Sequence, residues 1–198
     1  MRVGLDFDNT IAGYDALFAE LARERGLVDK ALSKRALRDL LQARGPDGEK
    51  AWTALQAAAY GPRMVDAVPT PGCADFLAAG RAAGIDFVIV SHKTRRAAAD
   101  PCVDLHAAAR AWMAANRIHD AVPPEKVFFE ETREAKVKRI ATLGCDRFVD
   151  DLIEVFEHPL FPHGVDAILF DPHGEAAVHT RPVACRGWSE IRERVLGT

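Results

Sequence analysis

The stretch MRVGLDFDNTIAGYD (residues 1–15) opens the chain. Val3, Leu5 and Phe7 alternate in the pattern of a buried strand, and Asp6 and Asp8 fall where that strand ends. Asp and Asn favour strand ends and helix caps, so a turn accounts for the two acids as readily as a site does. What the later strands carry at their own ends decides between these readings.

From Tyr14 the period changes to helical. Leu17, Phe18, Leu21 and Ala22 share a face closed by Gly26. Ser33 is a candidate N-cap for a second helix through Leu37, Leu40 and Leu41, ended at Gly45-Pro46. A third helix is predicted from Asp47 to Tyr60. About fifty-five residues of helix and turn thus follow the first strand, too many for one crossover helix. Pro69-Thr70-Pro71-Gly72 then punctuates the chain.

Beyond it strands and helices alternate. The near-continuous apolar run 85–90 (IDFVIV) predicts a strand buried on both faces. Further strands are expected at Val127–Phe129, Arg147–Val149 and Ala167–Phe170, with helices at 75–83, 103–116 and 134–143 between them. This order predicts an α/β fold, a Rossmann-like parallel sheet covered on both faces, with a small all-helical insertion. The expected division is a core of residues 1–12 and 71–198 and a helical insertion of residues 13–70.

In such sheets ligands sit beyond the carboxyl ends of the strands. Those ends carry Asp6 and Asp8, then Ser91, His92 and Lys93, then Glu130 and Glu131, then Asp150 and Asp151, then Asp171. Clustered carboxylates repel one another unless a cation joins them. Mg²⁺, which takes a few hard oxygen ligands and keeps room for water and phosphate oxygens, suits such a rim.

DFDNT at the first strand, the serine ending FVIVS, a lysine in EAKVKRI and the VDD pair resemble, in order, the four signature motifs of the haloacid-dehalogenase-like (HAD) superfamily. The resemblance spans roughly residues 1–12 and 71–175 and implies the phosphatase branch, with a cap inserted after the first motif. It implies that Asp6 is the nucleophile, forming an aspartyl-phosphate, and that Asp8 is the general acid and then the base. It implies a Mg²⁺ site from the Asp6 carboxylate, the Asp8 main-chain carbonyl and Asp150, with Asp151 beside it. Ser91 and Thr10 are then phosphate contacts. The catalytic lysine is Lys136 or Lys138, Lys136 being preferred because it aligns Ile140 and Leu143 with the family's apolar positions. Asn9 stands where the family often has glycine, and Asn is the next-best residue for a left-handed backbone.

Other residues keep two readings. Lys93 is a second cation at the phosphate or a substrate contact. Arg63, in Tyr60-Gly61-Pro62-Arg63, is a substrate contact from the insertion or the surface residue of a helix terminator. The histidines of the tail fit no metal-binding spacing.

Bulk properties narrow the function class. The 198 residues are 48% hydrophobic and 28% charged, with net charge −3, and the pI is about 6.2. Neither a nucleic-acid nor a membrane partner is expected from that balance. Four scattered cysteines without a Cys-x-x-Cys pair predict reduced thiols and a cytoplasmic protein. The expected function is Mg²⁺-dependent hydrolysis of a small phosphorylated substrate. A nucleotidase of the same branch is the alternative within the class, and a non-catalytic binding or regulatory module the alternative outside it. A dehalogenase needs no acid at the second position, where Asp8 stands.

Overall fold

The computed structural model describes residues 1–174 and 181–197. Six parallel strands form one sheet: β1 (Arg2–Leu5), β4 (Asp86–His92), β5 (Val127–Glu130), β6 (Arg147–Asp150), β7 (Asp166–Phe170) and β8 (Val183–Cys185). Their order is β5-β4-β1-β6-β7-β8. β1 lies between β4 and β6, with Leu5 beside Ile89 on one side and Val149 on the other. The chain builds the sheet in one direction through β4 and β5, then returns past β1 to build in the other. The crevice at that reversal, beyond β1 and β6, is where parallel sheets place ligands.

Alternation within β4 gives each face its own core. Phe87 and Ile89 join Val3, Leu5, Val149 and Ile168 in one apolar cluster. Val88 and Val90 join Phe148, Ala167, Val137 and Ile140 in the other. Period-2 geometry requires this split, and it explains why the run is apolar throughout. Gly4 faces the second cluster so closely that a Cβ there would collide with the Phe148 ring. Helix α6 (Arg133–Leu143) covers the second face, starting at Thr132, whose hydroxyl accepts from Ala135 N–H at 3.1 Å. On the first face lie α4 (Cys73–Ala82), α5 (Leu105–Ala115) and α8 (Trp188–Leu196), while the one-turn α7 (Ile153–Phe156) follows β6.

Between β1 and α4 the chain makes the insertion. A two-residue strand β2 (Ala12–Gly13) leads out, and β3 (Val68–Pro69) pairs with it antiparallel on the way back. Between them stand α1 (Asp15–Glu24), α2 (Lys34–Gln42) and α3 (Pro46–Tyr60). Ser33 caps α2, accepting from Ala36 N–H at 3.2 Å. Leu37 and Leu41 are buried, whereas Leu40, expected on the same face, is 40% exposed. The buried side chains of this insertion, including Phe18, Trp52 and Leu55, belong to the same apolar cluster as the first face of the sheet. Thr70 closes the base: its hydroxyl donates to the Thr10 carbonyl at 2.6 Å and accepts from Trp188 Nε1 at 2.7 Å.

Two elements differ from expectation. Five sheet strands are predicted and six occur among the described residues, because β8 is only three residues long and largely exposed, with no apolar run to announce it. Helix α8 follows it, burying Trp188, Ile191 and Val195. The four cysteines are unpaired. No helix among the described residues is long and apolar enough to cross a membrane.

Candidate active site

Local backbone geometry sets the floor of the site. Asp6 N–H donates to the Val149 carbonyl at 2.8 Å, extending the sheet ladder one residue and delivering the carboxylate at the rim. The chain then turns tightly. Phe7 O accepts from both Ile11 and Ala12 N–H at 3.0 Å, and Asn9 N–H donates to Ala12 O at 2.8 Å. Asn9 takes φ 62°, the left-handed conformation that this turn needs and that Asn tolerates best after Gly.

Lys136 comes up from α6 beneath this turn. Its side chain is 1% exposed, and its ammonium donates to Asp6 Oδ1 at 2.6 Å and pairs with Asp150 Oδ2 at 2.6 Å. Burial opposes its charge, but Asp150 and Asp6 overcome that and raise its pKa above the ordinary lysine value. The contact to Asp150 Oδ2 is charge against charge without hydrogen-bond geometry, so that buried oxygen has no hydrogen-bond partner. The other oxygen, Oδ1, accepts from Leu152 N–H at 3.1 Å. Burial pushes the Asp150 carboxyl up to about 7, against the pull of Lys136. Burial, then repulsion from Asp6 and Asp150, raises that of Asp151 well above the ordinary carboxylate value.

These shifts share one cause: Asp6 and Asp150 meet a single ammonium, and Asp151 is crowded against both of them. Asp6, Asp150 and Asp151 each place a carboxylate oxygen within 4.8 Å of the others. All the donors are hard oxygens, one of them lacking a hydrogen-bond partner. That chemistry fits a divalent cation of the Mg²⁺ type.

Asp8 turns the other way. Both its oxygens accept from Lys93 Nζ at 2.9 Å, and Oδ1 also accepts from the Tyr14 hydroxyl at 2.6 Å. Burial raises its carboxyl, but the Lys93 charge and these hydrogen bonds outweigh it and hold the pKa below the ordinary value. Lys93 itself is 3% exposed and lies over the Tyr60 ring, 4.6 Å from its centroid. Its carbonyl is held by His106 Nε2 at 2.7 Å. Above the floor opens a cavity of about 900 Å³, with Asp6, Asp8, Ser91 and Lys136 below and residues of α2 and α3 opposite.

Three solved structures share this architecture over nearly their whole length. One is a predicted phosphatase from Clostridium acetobutylicum (TM-score 0.64, 11% identity, covering 100% of this chain and 98% of that one). Another is a HAD family hydrolase from Deinococcus radiodurans with bound phosphate and sodium (TM-score 0.61, 15% identity, 99% and 95%). A third is the HAD hydrolase YfnB from Bacillus subtilis bound to magnesium (TM-score 0.57, 14% identity, 100% and 98%). The chain has the HAD fold. No protein-family model and no curated protein matches its sequence.

Within this HAD fold the residues expected from the sequence divide into two groups. Asp6, Asp8, Ser91, Lys93, Lys136 and Asp151 line the cavity, and Asp150 lies buried just beneath them. Lys138, two residues from Lys136 and thus on another helix face, is 62% exposed and pairs with Glu134. Thr10 and Arg63 stand apart. Thr10 is fully buried under the turn, its hydroxyl without a partner, and it does not line the cavity. Arg63 is the surface residue of the helix terminator: Glu20, Glu24 and Asp66 hold its guanidinium, and it does not line the cavity either. Of that four-residue stretch, Tyr60 is the one turned inward.

Among the cavity residues of the insertion, Tyr14 and Lys34 escaped the sequence reading, as did Arg35 and Arg38. Tyr14 is the hydroxyl on Asp8, and Lys34 is the first residue of α2. The Lys34 ammonium donates to Asn9 Oδ1 at 2.9 Å, while Asn9 Nδ2 donates to Asp151 at 3.1 Å. It also lies 5.4–5.5 Å from the ring centroids of Tyr14, Phe18 and Tyr60. The position of Lys34 directly after the Ser33 cap was legible, but the direction in which α2 points it was not.

Proposed function

We propose that the protein is a Mg²⁺-dependent phosphatase that hydrolyses small phosphate monoesters through an aspartyl-phosphate on Asp6. The observation that carries this reading is the pairing of Asp6 with the buried Lys136 at 2.6 Å, beside the under-neutralised Asp150 and Asp151 and below an open cavity. The phosphate and the magnesium bound by two proteins of the same fold support it.

Asp6 attacks phosphorus with the carboxylate oxygen that Lys136 leaves free, and the Asp6–phosphorus bond forms as the bond to the alcohol oxygen breaks. Lys136 fixes the carboxylate and offsets the charge that an anion meets in approaching a phosphate dianion. Asp6, Asp150 and Asp151 would hold the metal, which supplies further neutralisation of that charge when bound. Ser91, buried and facing the cavity, hydrogen-bonds a phosphoryl oxygen. Asp8, once protonated, gives its proton to the departing alkoxide. In its ionised form, the one Lys93 and Tyr14 favour, it takes a proton from the water that then attacks phosphorus and restores Asp6. Residues 13–70 act as a cap, keeping bulk water from the intermediate and selecting the alcohol.

Purified protein should hydrolyse p-nitrophenyl phosphate and acetyl phosphate with Mg²⁺ and stop when the metal is chelated. Asp6→Asn should lower the rate by at least about 10³-fold, the scale of losing a nucleophile. Turnover of Asp6→Asn at the wild-type rate, or none by wild type with any divalent metal, overturns the reading.

A further inference from the structure

Asp8 is held by the insertion as well as by the sheet. Its Oδ1 accepts from Lys93 Nζ at 2.9 Å and from the Tyr14 hydroxyl at 2.6 Å. Oδ2 accepts from Lys93 alone among the described residues, also at 2.9 Å. A carboxylate oxygen has two lone-pair sites. Oδ1 has used both, and Oδ2 keeps one. Asp8 lines the cavity, and Oδ2 is the oxygen with capacity left for a substrate or a water.

Tyr14 has little freedom to leave this contact. It directly precedes α1 and is 1% exposed. Tyr60 meets its ring edge-on, with centroids 4.9 Å apart and planes at 90°. Phe18 stands at 6.4 Å, and the Lys34 ammonium lies 5.5 Å from the ring centroid. A ring enclosed on that many sides keeps one rotamer. The hydroxyl has a second acceptor, Met64 Sδ at 3.2 Å, but a thioether accepts weakly and a carboxylate strongly. Burial, then the Asp8 charge, raises the Tyr14 pKa well above the ordinary tyrosine value, so the hydroxyl keeps its proton and stays a donor. Packing alone needs only a phenylalanine here. The hydroxyl adds a fixed donor on one oxygen of the proton-transfer carboxyl.

We propose that Tyr14 is a positioning residue for Asp8: with Lys93 it saturates Oδ1 and fixes the carboxyl so that Oδ2 alone exchanges protons with substrate and water. This rests on the phosphatase reading and assigns, within it, the oxygen that works. In the first half of the reaction the proton on Oδ2 passes to the alcohol oxygen as its bond to phosphorus breaks and the Asp6–phosphorus bond forms. In the second half Oδ2 takes a proton from water as the water oxygen bonds to phosphorus and the Asp6–phosphorus bond breaks. Asp8 thus ends each cycle as it began. Without the Tyr14 hydroxyl the carboxyl can turn and Oδ1 can compete, so both proton transfers slow while Asp6, Lys136 and Ser91 keep their places.

Two aryl esters of similar size separate this role from a structural one, because p-nitrophenolate departs without a proton and phenolate needs one. With Mg²⁺, Tyr14→Phe should lower kcat/KM for phenyl phosphate at least about tenfold more than that for p-nitrophenyl phosphate, the scale of one hydrogen bond to a charged group. On p-nitrophenyl phosphate kcat should still fall, with KM falling in proportion, because the attacking water still depends on Asp8. Labelled phosphate should then accumulate on the protein. An unfolded fraction lowers kcat for both esters alike and leaves KM unchanged. The kcat-against-KM split decides by itself if phenyl phosphate is too slow to follow. The chain has two tyrosines, so isotope-labelled tyrosine gives two ring signals in NMR spectra. The one that survives Tyr60→Phe should shift in Asp8→Asn, a measurement that stands even where Tyr14→Phe does not fold. Equal losses on the two esters, no loss on either, a fall in kcat at constant KM, or a Tyr14 signal indifferent to Asp8→Asn overturns the proposal while p-nitrophenyl phosphate turnover by the wild type stands. Absence of that turnover overturns the phosphatase reading and this proposal together.

Discussion

The two rims of the central sheet both carry ion pairs and put them to different ends. At the amino-terminal rim, Asp86 is met by Arg2 at 2.7 Å and by Lys126 at 2.5 Å. Asp166 there is met by Arg194 at 2.8 Å and by Arg147 at 3.8 Å. Each acid has two cations, and every partner is 25–40% exposed. At the carboxyl-terminal rim the proportion is reversed. Asp6 and Asp150 share Lys136, with Asp151 crowded beside them, and Asp6, Asp150 and Lys136 are at most 5% exposed. Charge at a strand end therefore does not distinguish a site. An excess of buried charge of one sign does, because the fold has left it for something else to balance.

The comparison breaks most readily at Lys136. Lys136→Met leaves two buried carboxylates unpaired and should destabilise the metal-free protein by about 3–5 kcal/mol, lowering Tm by about 10 °C. Lys138→Met, on the exposed face of the same helix, should stay within about 0.5 kcal/mol of wild type. Equal losses in thermal melts would show that burial is not what separates the rims.

Metal should sharpen the contrast next. Mg²⁺ at about a hundred times its Kd should stabilise the protein by about 2.7 kcal/mol. The Asp150 carboxyl lies at about 7 in the folded chain against an ordinary 3.8. Through that window the unfolded chain has released its proton and the folded one has kept it. The metal-free protein therefore loses stability as pH rises from 3.8 to about 7. Binding metal must displace that proton, so the Mg²⁺-induced rise in Tm should be larger at about pH 8 than at about pH 6. A shift independent of pH would remove Asp150 from the metal site.

The smallest effect belongs to the other rim. Lys126, then Arg2, hold the Asp86 carboxyl below its ordinary 3.8 against a modest desolvation. Its contribution is complete above 3.8 and lost as pH falls through the depressed folded value. Asp86→Asn should cost at most about 1 kcal/mol near neutral pH and nothing in strong acid, by urea denaturation. A cost as large as that of Lys136→Met would make the two rims equivalent.

Much of this was legible along the chain. The apolar runs of β1, β4, β5, β6 and β7 declare themselves because a strand buried on both faces must be apolar throughout. Acids at the ends of four of those runs, with a serine ending the fifth, point to the rim before any coordinate is known. β8 stayed hidden because an exposed three-residue edge has no such run. Arg63 and Tyr60 were equally plausible beside their Gly-Pro bend, and only the approach of α1 decides that Glu20 and Glu24 claim the arginine.

Local order along the chain thus determined the α/β class, the helical insertion and the residue types at the strand ends, since periodicity and turn chemistry act over a few neighbours. The tertiary structure alone decided which acids share one lysine, which of two helix lysines is buried, and that α2 turns three cations toward the cavity. Those outcomes depend on how distant elements pack, and packing sets the burial and spacing from which charges take their strength.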